Sequence, residues 1–112
     1  MSSRVQTILE YMLEDALDIV RFVGEIKDQD ALSGNSLYRK AVIMSILNIG
    51  ELAKKLPDEF KASNSQIPWK KISGMRDIAA HGYHVMDDEI IWDVATHSIP
   101  ELVEFLQNRK NI

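Results

Sequence analysis

Residues 36–56, SLYRKAVIMSILNIGELAKKL, carry apolar side chains at helical spacing on two sides of one segment. The first row, which steps by three and four residues, consists of Val42, Ile46, Ile49, Ala53 and Leu56. The second row consists of Leu37, Ala41, Met44 and Leu52. A helix that is apolar on two sides lies at the centre of a bundle, or packs on a partner as well as on its own core. The segment therefore predicts a long central helix that Ser36 can cap.

Gly50 stands in the middle of this predicted helix, and Pro57 is expected to end it. Glycine in a helix interior costs about 1 kcal/mol relative to alanine. We therefore expect a neighbouring backbone to pack closely against the helix at Gly50.

One more helix is predicted before the central one and another after it. The first has candidate caps at Ser2 and Ser3, and Gly24 is expected to end it. Its inner row is Val5, Ile8, Met12, Ala16, Ile19 and Val23. The other begins at Pro68, which suits the first helical position, and Gly82 is expected to close it in the left-handed conformation.

A last helix follows Asp87, Asp88 and Glu89, whose charges complement a helix N-terminus. Its inner row is expected to be Ile91, Val94, Ser98, Leu102 and Phe105. Pro100 lacks the backbone N–H that a helix interior requires, so it should kink or split this helix near Ile99.

The segments between these helices are short and polar. Residues 25–35 read as a connection with room for a short helical turn, and residues 57–66 as a loop or a single turn. No segment predicts a strand. We therefore expect residues 1–112 to form one all-α domain. Its architecture is an up-and-down bundle of four main helices, with room for an extra short helix and with a kinked last helix.

The composition excludes several classes of site and location. Cysteine is absent, which excludes disulfides and thiolate metal sites. No basic stretch followed by an apolar one begins the chain, so no signal peptide is predicted. No apolar run approaches the roughly 18 residues of a membrane span. The expectation is a cytoplasmic protein that makes no membrane contact.

The net charge of −4 hides a basic middle third. Residues 1–37 carry a net charge of −4, residues 38–76 of +5 and residues 77–112 of −5. Phosphate binding depends on Lys and Arg, so the middle third is the candidate nucleic-acid surface. A solvated surface of mixed charge explains the same pattern, and charge alone does not decide between the two.

The basic third ends at residues 76–83, RDIAAHGY, where Arg76 and His81 stand five positions apart. On a regular helix such positions point about 140° apart. If the helix ends at Gly82, however, His81 swings with the departing chain, and both side chains can reach a shared cleft. The alternative is structural, because the helix dipole favours Arg and His near any helix C-terminus.

The surroundings of this motif carry a specific resemblance. Residues 67–94, IPWKKISGMRDIAAHGYHVMDDEIIWDV, and residues 48–56, NIGELAKKL, resemble the HEPN domain in its HepT-like ribonuclease toxin branch. The motif of that branch is Arg, four residues, His, one residue, Tyr, which Arg76, His81 and Tyr83 match. The family favours a polar residue directly after the arginine, and Asp77 satisfies this.

The resemblance implies a metal-independent endoribonuclease that acts as a homodimer, with Arg76 and His81 of both chains lining one cleft and Asp77 in a supporting role. Assembly beyond the dimer is left open. The chemistry agrees with these roles. An imidazole of ordinary pKa suits a general base near neutral pH, and a guanidinium binds phosphate oxygens. Candidate RNA-binding residues in the basic third are Arg39, Lys40, Lys70 and Lys71.

Tyr83 has a role of its own in this resemblance. The partner in the HepT branch is a minimal nucleotidyltransferase antitoxin of the MntA type, in a type VII-like toxin–antitoxin system. The antitoxin uses ATP to transfer AMP to the motif tyrosine, so the toxin itself needs no cofactor. The alternative for Tyr83 is an amphipathic side chain whose hydroxyl is hydrogen-bonded at an interface.

The same residues allow two other interpretations. His81 and His84, with Asp87, Asp88 or His97, could suggest a metal site, but a glycine and a helix end interrupt the spacing of zinc motifs, and no metal is expected. The chain could also be a non-catalytic HEPN module that binds nucleotide or serves as a scaffold for the partner nucleotidyltransferase. The intact Arg76–His81 pair favours the enzyme, because a scaffold has no need of that pair.

Overall fold

The computed structural model describes residues 3–82 and 85–110, with the backbone alone described for residues 78–81 and 110. Helix α1 spans Ser3–Ile26, α2 spans Gln29–Gly34, α3 spans Ser36–Lys54, α4 spans Asp58–Ser63 and α5 spans Trp69–His81. Helix α6, Asp88–Asp93, continues through a π-helical segment, Val94–Ser98, into α7, Ile99–Lys110. None of the described residues lies in a strand, so the all-helical class is confirmed.

Helix α3 lies at the centre of the bundle, as its two apolar rows predicted. It packs along α1 on one side and along α5 on the other, while α7 packs on α1. The rings of Trp69 in α5 and Phe105 in α7 meet edge to face, with centroids 5.8 Å apart. This contact joins α5 to α7. The four main helices therefore form the predicted bundle, and α2 and α4 are short additions to it.

The first apolar row of α3 is the core of the molecule. All five of its residues are buried, and Val42, Ile49 and Ala53 are completely inaccessible to solvent. The inner row of α1 faces it, with Met12, Ala16 and Ile19 equally inaccessible. Each large aliphatic side chain buried in this way contributes about 1.5–3 kcal/mol to folding, so the α1–α3 contact contributes much of the stability.

The second apolar row of α3 is divided, since Leu52 is partly buried and packs on the core whereas Leu37 and Met44 are exposed. Leu37 is 75% exposed and Met44 is 57% exposed. On α1, Tyr11, Leu17 and Val20 are also large apolar side chains with at least 41% of their surface exposed. The helix is therefore central and also presents an apolar row to the outside.

Helix α1 runs past Gly24, and the prediction that Gly24 ends it was wrong. Nothing crowds the Gly24 position, and the helix continues to Ile26. Lys27 then takes the left-handed conformation, with φ of 74°, and its N–H donates to the Val23 carbonyl over 2.9 Å. The terminating geometry is thus provided by a lysine three residues beyond the glycine. The candidate cap Ser2 lies outside the described residues.

The caps of the central helices differ by a residue from those predicted. Asn35, and not Ser36, caps α3, since its side-chain oxygen accepts a hydrogen bond from the Tyr38 N–H over 3.2 Å. The helix ends at Lys54, before Pro57, although Leu56 remains buried. Pro68 precedes the first residue of α5 instead of occupying it.

Gly82 follows α5 as predicted, but its conformation is extended, with φ of −178°, and not left-handed. The exposed Val85 side chain lies against the glycine, so a Cβ at this position would require that side chain to move. The backbone N–H of Val85 donates to the Gly82 carbonyl over 3.1 Å. The chain therefore turns closely on itself as it leaves the helix.

Pro100 splits the last helix, and the irregularity is a π-helical turn. Pro100 has no N–H for the Thr96 carbonyl. The preceding turn widens, so that the Ile99 N–H donates to the Val94 carbonyl five residues back. The inner row keeps Ile91, Val94 and Leu102 as predicted and differs at two positions. Ile99 and Leu106 are buried in place of Ser98 and Phe105, which are both partly exposed.

None of the helices described here combines the length and the hydrophobicity that crossing a membrane requires.

Candidate active site at the crossing of α3 and α5

Helices α3 and α5 approach each other closely at Gly50 and Arg76. A Cβ on Gly50 would lie 2.8 Å from the Cβ of Arg76 and 3.1 Å from the Ile72 carbonyl oxygen. Real Cβ atoms essentially never come this close, so the crossing requires glycine. The close approach predicted at Gly50 is confirmed, and the neighbour proves to be the helix that carries the motif.

The Arg76 guanidinium emerges from this crossing between two carboxylates. Its Nε forms an ion pair with Oε1 of Glu51, the residue that follows Gly50 on α3. Its Nη1 lies 3.3 Å from Oδ1 of Asp77. The side chain is 39% exposed, so solvent and ligands can reach it. These two ion pairs involve Nε and Nη1, and Nη2 takes part in neither of them.

Lys54 extends this arrangement by one residue. Its Nζ donates to Oδ1 of Asp77 over 2.9 Å, one turn of α3 beyond Glu51. We call Glu51, Lys54, Arg76 and Asp77 the charge network. It contains two positive and two negative side chains, and it links α3 to α5 beside their crossing.

The charge network favours the charged forms of Arg76 and Asp77. The hydrogen bond to Asp77 and then that to Glu51 raise the pKa of Arg76 above its ordinary value. The hydrogen bond from Lys54 and then that from Arg76 lower the pKa of Asp77 below its ordinary value. A permanent cation therefore stands half-exposed in a fixed position, which is what binding of a phosphate oxygen requires.

His81 is the last residue of α5, as the sequence predicted, and it shares that helix with Arg76. Its side chain, together with Tyr83 and His84, lies outside the described residues. The convergence of the Arg76 and His81 side chains stays a prediction. Among the residues that the structure describes, no group of three His, Asp or Glu side chains could hold a metal ion.

Comparison with known proteins identifies the family. The model of the family described as "Ribonuclease HepT-like" matches residues 12–109. The chain belongs to the HepT-like ribonuclease family. A protein of Caldanaerobacter subterraneus named "Putative RNase" is 38% identical over 106 residues, which cover 91% of this chain and 94% of that protein.

Two archaeal relatives extend the comparison. A "Putative RNase" of Methanocaldococcus jannaschii is 33% identical over 103 residues, covering 92% of this chain and 84% of that protein. A "Probable ribonuclease HepT" of Thermococcus cleftensis is 32% identical over 91 residues, covering 80% and 82%. No solved structure gives a significant match. The HepT-like match includes all of α3 and α5, and so the whole crossing.

The four basic residues predicted to bind RNA lie in different surroundings in this HepT-like chain. Lys70 and Lys71 are exposed in the first turn of α5, about 7–9 Å along the helix from Arg76. Lys40 is exposed near the start of α3. Arg39 is only 14% exposed and is engaged elsewhere.

Arg39 ties the segment after the motif back to α3. Its Nε lies 2.7 Å from Oδ1 of Asp88, and its Nη2 donates to the Met86 carbonyl over 3.2 Å. Ser33 donates to the other oxygen of Asp88 over 2.7 Å. Burial raises the pKa of Asp88, but the hydrogen bonds from Arg39 and Ser33 outweigh it, so the pKa lies below its ordinary value. Arg39 therefore serves as a tether in this structure.

Sequence reasoning did not single out Glu51 or Lys54 as site residues. The signal for Glu51 was present, since a mid-helix glycine marked the closest approach of a second helix and the next residue lies at the edge of that contact. The pairing of Lys54 with Asp77 depends on the crossing geometry, which no spacing within one helix reveals.

Proposed function

We propose that this protein is a ribonuclease toxin, a metal-independent endoribonuclease that cleaves RNA through its own 2′-hydroxyl. The observation that carries the proposal is the Arg76 guanidinium, which is held half-exposed between Glu51 and Asp77 on the helix that ends at His81. Membership of the HepT-like ribonuclease family and the names of its relatives support it.

The proposed reaction divides the work between the two motif residues. His81 takes the proton of a ribose 2′-hydroxyl, and the 2′-oxygen attacks the adjacent phosphorus. Negative charge builds on the phosphoryl oxygens, and Arg76 stabilises it. The 5′-oxygen leaves with a proton from a second acid, which gives a 2′,3′-cyclic phosphate and a 5′-hydroxyl end. DNA lacks the 2′-hydroxyl and is not cleaved by this route.

A homodimer would supply the second acid as the His81 of the partner chain. The exposed apolar row of α3, with Leu37 and Met44, supports such a dimer, because a large apolar surface on a small domain marks an interaction site. Burial of this row against a second copy would bring the basic surfaces of two chains together. Lys40, Lys70 and Lys71 are then the residues that contact the RNA backbone.

The proposal includes regulation by a cognate nucleotidyltransferase of the MntA type. That partner would transfer AMP from ATP to the Tyr83 hydroxyl, with release of pyrophosphate. An added AMP two residues from His81 is a bulky anion, which would block the cleft and compete with RNA for Arg76. The chain itself needs no cofactor for either step.

An RNA-cleavage assay with purified protein tests the proposal. The wild type is expected to produce 2′,3′-cyclic phosphate ends in the presence of EDTA, and His81→Ala is expected to lose about 10²–10⁴-fold of the rate. The His97→Ala variant is the matched control, since His97 is exposed on the π-helical segment beside Asp93. If the wild type neither cleaves RNA nor arrests growth, the non-catalytic scaffold replaces this proposal.

A further inference from the structure

The Arg76 guanidinium is held on two of its edges, and the two contacts come from different helices. Glu51 on α3 holds Nε, while Asp77 on α5 holds Nη1. Asp77 is itself held by Lys54 of α3, with 2.9 Å between Nζ and Oδ1. The guanidinium is therefore oriented by a chain of contacts that begins and ends on α3.

We propose that Glu51 is a positioning residue for Arg76, and that Lys54 assists it by holding Asp77. This inference rests on the proposed ribonuclease function and adds two residues that its mechanism does not use. Neither residue would touch the reacting atoms. Their part is to aim the Nη2 edge of Arg76 at the phosphate, so that the guanidinium does not have to be ordered during the reaction.

The exposure of these side chains argues against a purely structural role. Glu51 and Arg76 are 38% and 39% exposed, and Lys54 and Asp77 are 39% and 53% exposed. Ion pairs this exposed contribute little to stability, because solvent screens the charges and two long side chains must be ordered. The buried core, which α1, α3, α5 and α7 share, includes none of these four side chains.

The sign of the Glu51 charge supports positioning as well. RNA is an anion, and a carboxylate beside the guanidinium that binds its phosphate weakens the attraction between protein and RNA. A residue selected only for RNA affinity would not be acidic at this place. Glu51 makes chemical sense where the orientation of Arg76 in the transition state outweighs the loss of affinity for the ground state.

Glu51→Gln separates orientation from affinity. The variant removes the charge and keeps the size of the side chain. We expect kcat to fall about 10- to 100-fold, while the Kd for a non-cleavable 2′-deoxy analogue of the substrate stays the same or decreases. Glu14→Gln is the matched control, because Glu14 lines the same groove between α1 and α3 and makes the same charge change. It should leave kcat unchanged.

Two neighbouring lysines give a second comparison. Lys54→Met and Lys55→Met each remove one positive charge from the same turn of α3, so any general effect on RNA binding is shared. Of these two lysines, Lys54 is the one seen to donate to Asp77. We expect kcat to fall in Lys54→Met and to stay near the wild-type value in Lys55→Met. Equal kcat values in the two variants would overturn the part assigned to Lys54.

The Nε–H signal of Arg76 in an NMR spectrum tests the geometry without any activity. It is assigned as the signal that disappears in Arg76→Lys. In Glu51→Gln we expect it to shift and to exchange faster with water, and in Glu14→Gln to stay in place. An unchanged signal, or a fall in kcat accompanied by weaker binding of the analogue, would overturn the role of Glu51. A wild type without RNA cleavage would refute the proposed function, while this signal would still decide whether Glu51 holds Arg76.

Discussion

Gly50 and Arg76 lie so close that a single methyl group does not fit between them. A Cβ added to Gly50 would be 2.8 Å from the Cβ of Arg76 and 3.2 Å from its backbone nitrogen. The α3–α5 crossing therefore sets the position of the motif arginine through backbone contact. A change at a residue without a side chain should consequently affect both the fold and the site.

Gly50→Ala is expected to push α3 and α5 apart and to lower the free energy of unfolding by about 1–3 kcal/mol. RNA cleavage should fall with it, because the displacement occurs at Arg76. Gly74→Ala is the control on α5, since nothing lies within 4 Å of that position. It should raise the free energy of unfolding by about 0.5–1 kcal/mol, as alanine favours a helix. Urea denaturation checks both values.

Asp88→Asn removes the charge that Arg39 holds, and we expect it to lower the free energy of unfolding by about 1–3 kcal/mol at pH 7. The pKa of Asp88 is lowered in the folded protein, so its stabilising effect is complete above the ordinary aspartate pKa of about 4. The effect is lost as the pH falls through the folded pKa. The difference between variant and wild type should therefore shrink below pH 4, whereas Glu104→Gln, on an exposed residue of α7, should show little difference at any pH.

Asp15→Asn, in contrast to Asp88→Asn, is expected to raise the free energy of unfolding at pH 7. Burial, followed by the charges of Asp18 and Glu14, raises the pKa of Asp15 in the folded state. The charged form therefore opposes folding at every pH above the folded pKa, and this penalty disappears as the pH falls through it to the ordinary value. At pH 7 the variant should melt at a higher temperature than the wild type. A lower melting temperature at pH 7 would contradict the assignment.

Met44→Glu places a charge in the exposed apolar row of α3 and is expected to convert the proposed dimer into a monomer. Ile90→Glu is the matched control. Ile90 is 56% exposed, nearly the same as Met44 at 57%, but it lies on a different helix. Light scattering should give a monomer mass for Met44→Glu and a dimer mass for Ile90→Glu. RNA cleavage should be lost with the dimer, since the second histidine is then missing. A monomeric wild type would remove the two-chain site.

Tyr83→Phe is expected to prevent the proposed modification by a nucleotidyltransferase of the MntA type. Mass spectrometry of the protein produced together with such a nucleotidyltransferase should show an added AMP on the wild type and none on the variant. Tyr11→Phe is the control, because Tyr11 is exposed on α1 and should leave the modification intact. An AMP adduct on Tyr83→Phe would exclude this tyrosine as the acceptor.

The sequence predicted the features that depend on one helix face. The two apolar rows of α3 indicated a central helix, because their spacing follows the period of the helix. Gly50 indicated a close approach, because a glycine inside a helix leaves room for a neighbouring helix. The ends of helices were less predictable. Gly24 was expected to end α1, but Lys27 adopts the left-handed conformation instead, since the tertiary contacts of α1 continue to Ile26.

The charge network depends on contacts between helices, and this explains why half of it was missed. Arg76 and Asp77 belong to a recognisable motif on one helix. Glu51 and Lys54 lie 25 and 23 residues earlier in the chain, and only the angle and depth of the crossing decide that they meet Arg76 and Asp77. A basic residue that is predicted to bind RNA can instead form an ion pair within the protein, as Arg39 does with Asp88.

The π-helical turn at Val94–Ser98 makes the last helix tolerant of a change in length. Such a turn holds one residue more than a regular turn, so removing one residue there while replacing Pro100 would give a regular helix and leave the faces of the flanking segments in place. Phe105 would keep its contact with Trp69, the first residue of the helix that carries Arg76. A deletion between Pro100 and Phe105 would instead rotate Phe105 by about 100° and separate it from Trp69. Homologues that lack the extra residue at the turn should therefore still pair these two aromatic side chains.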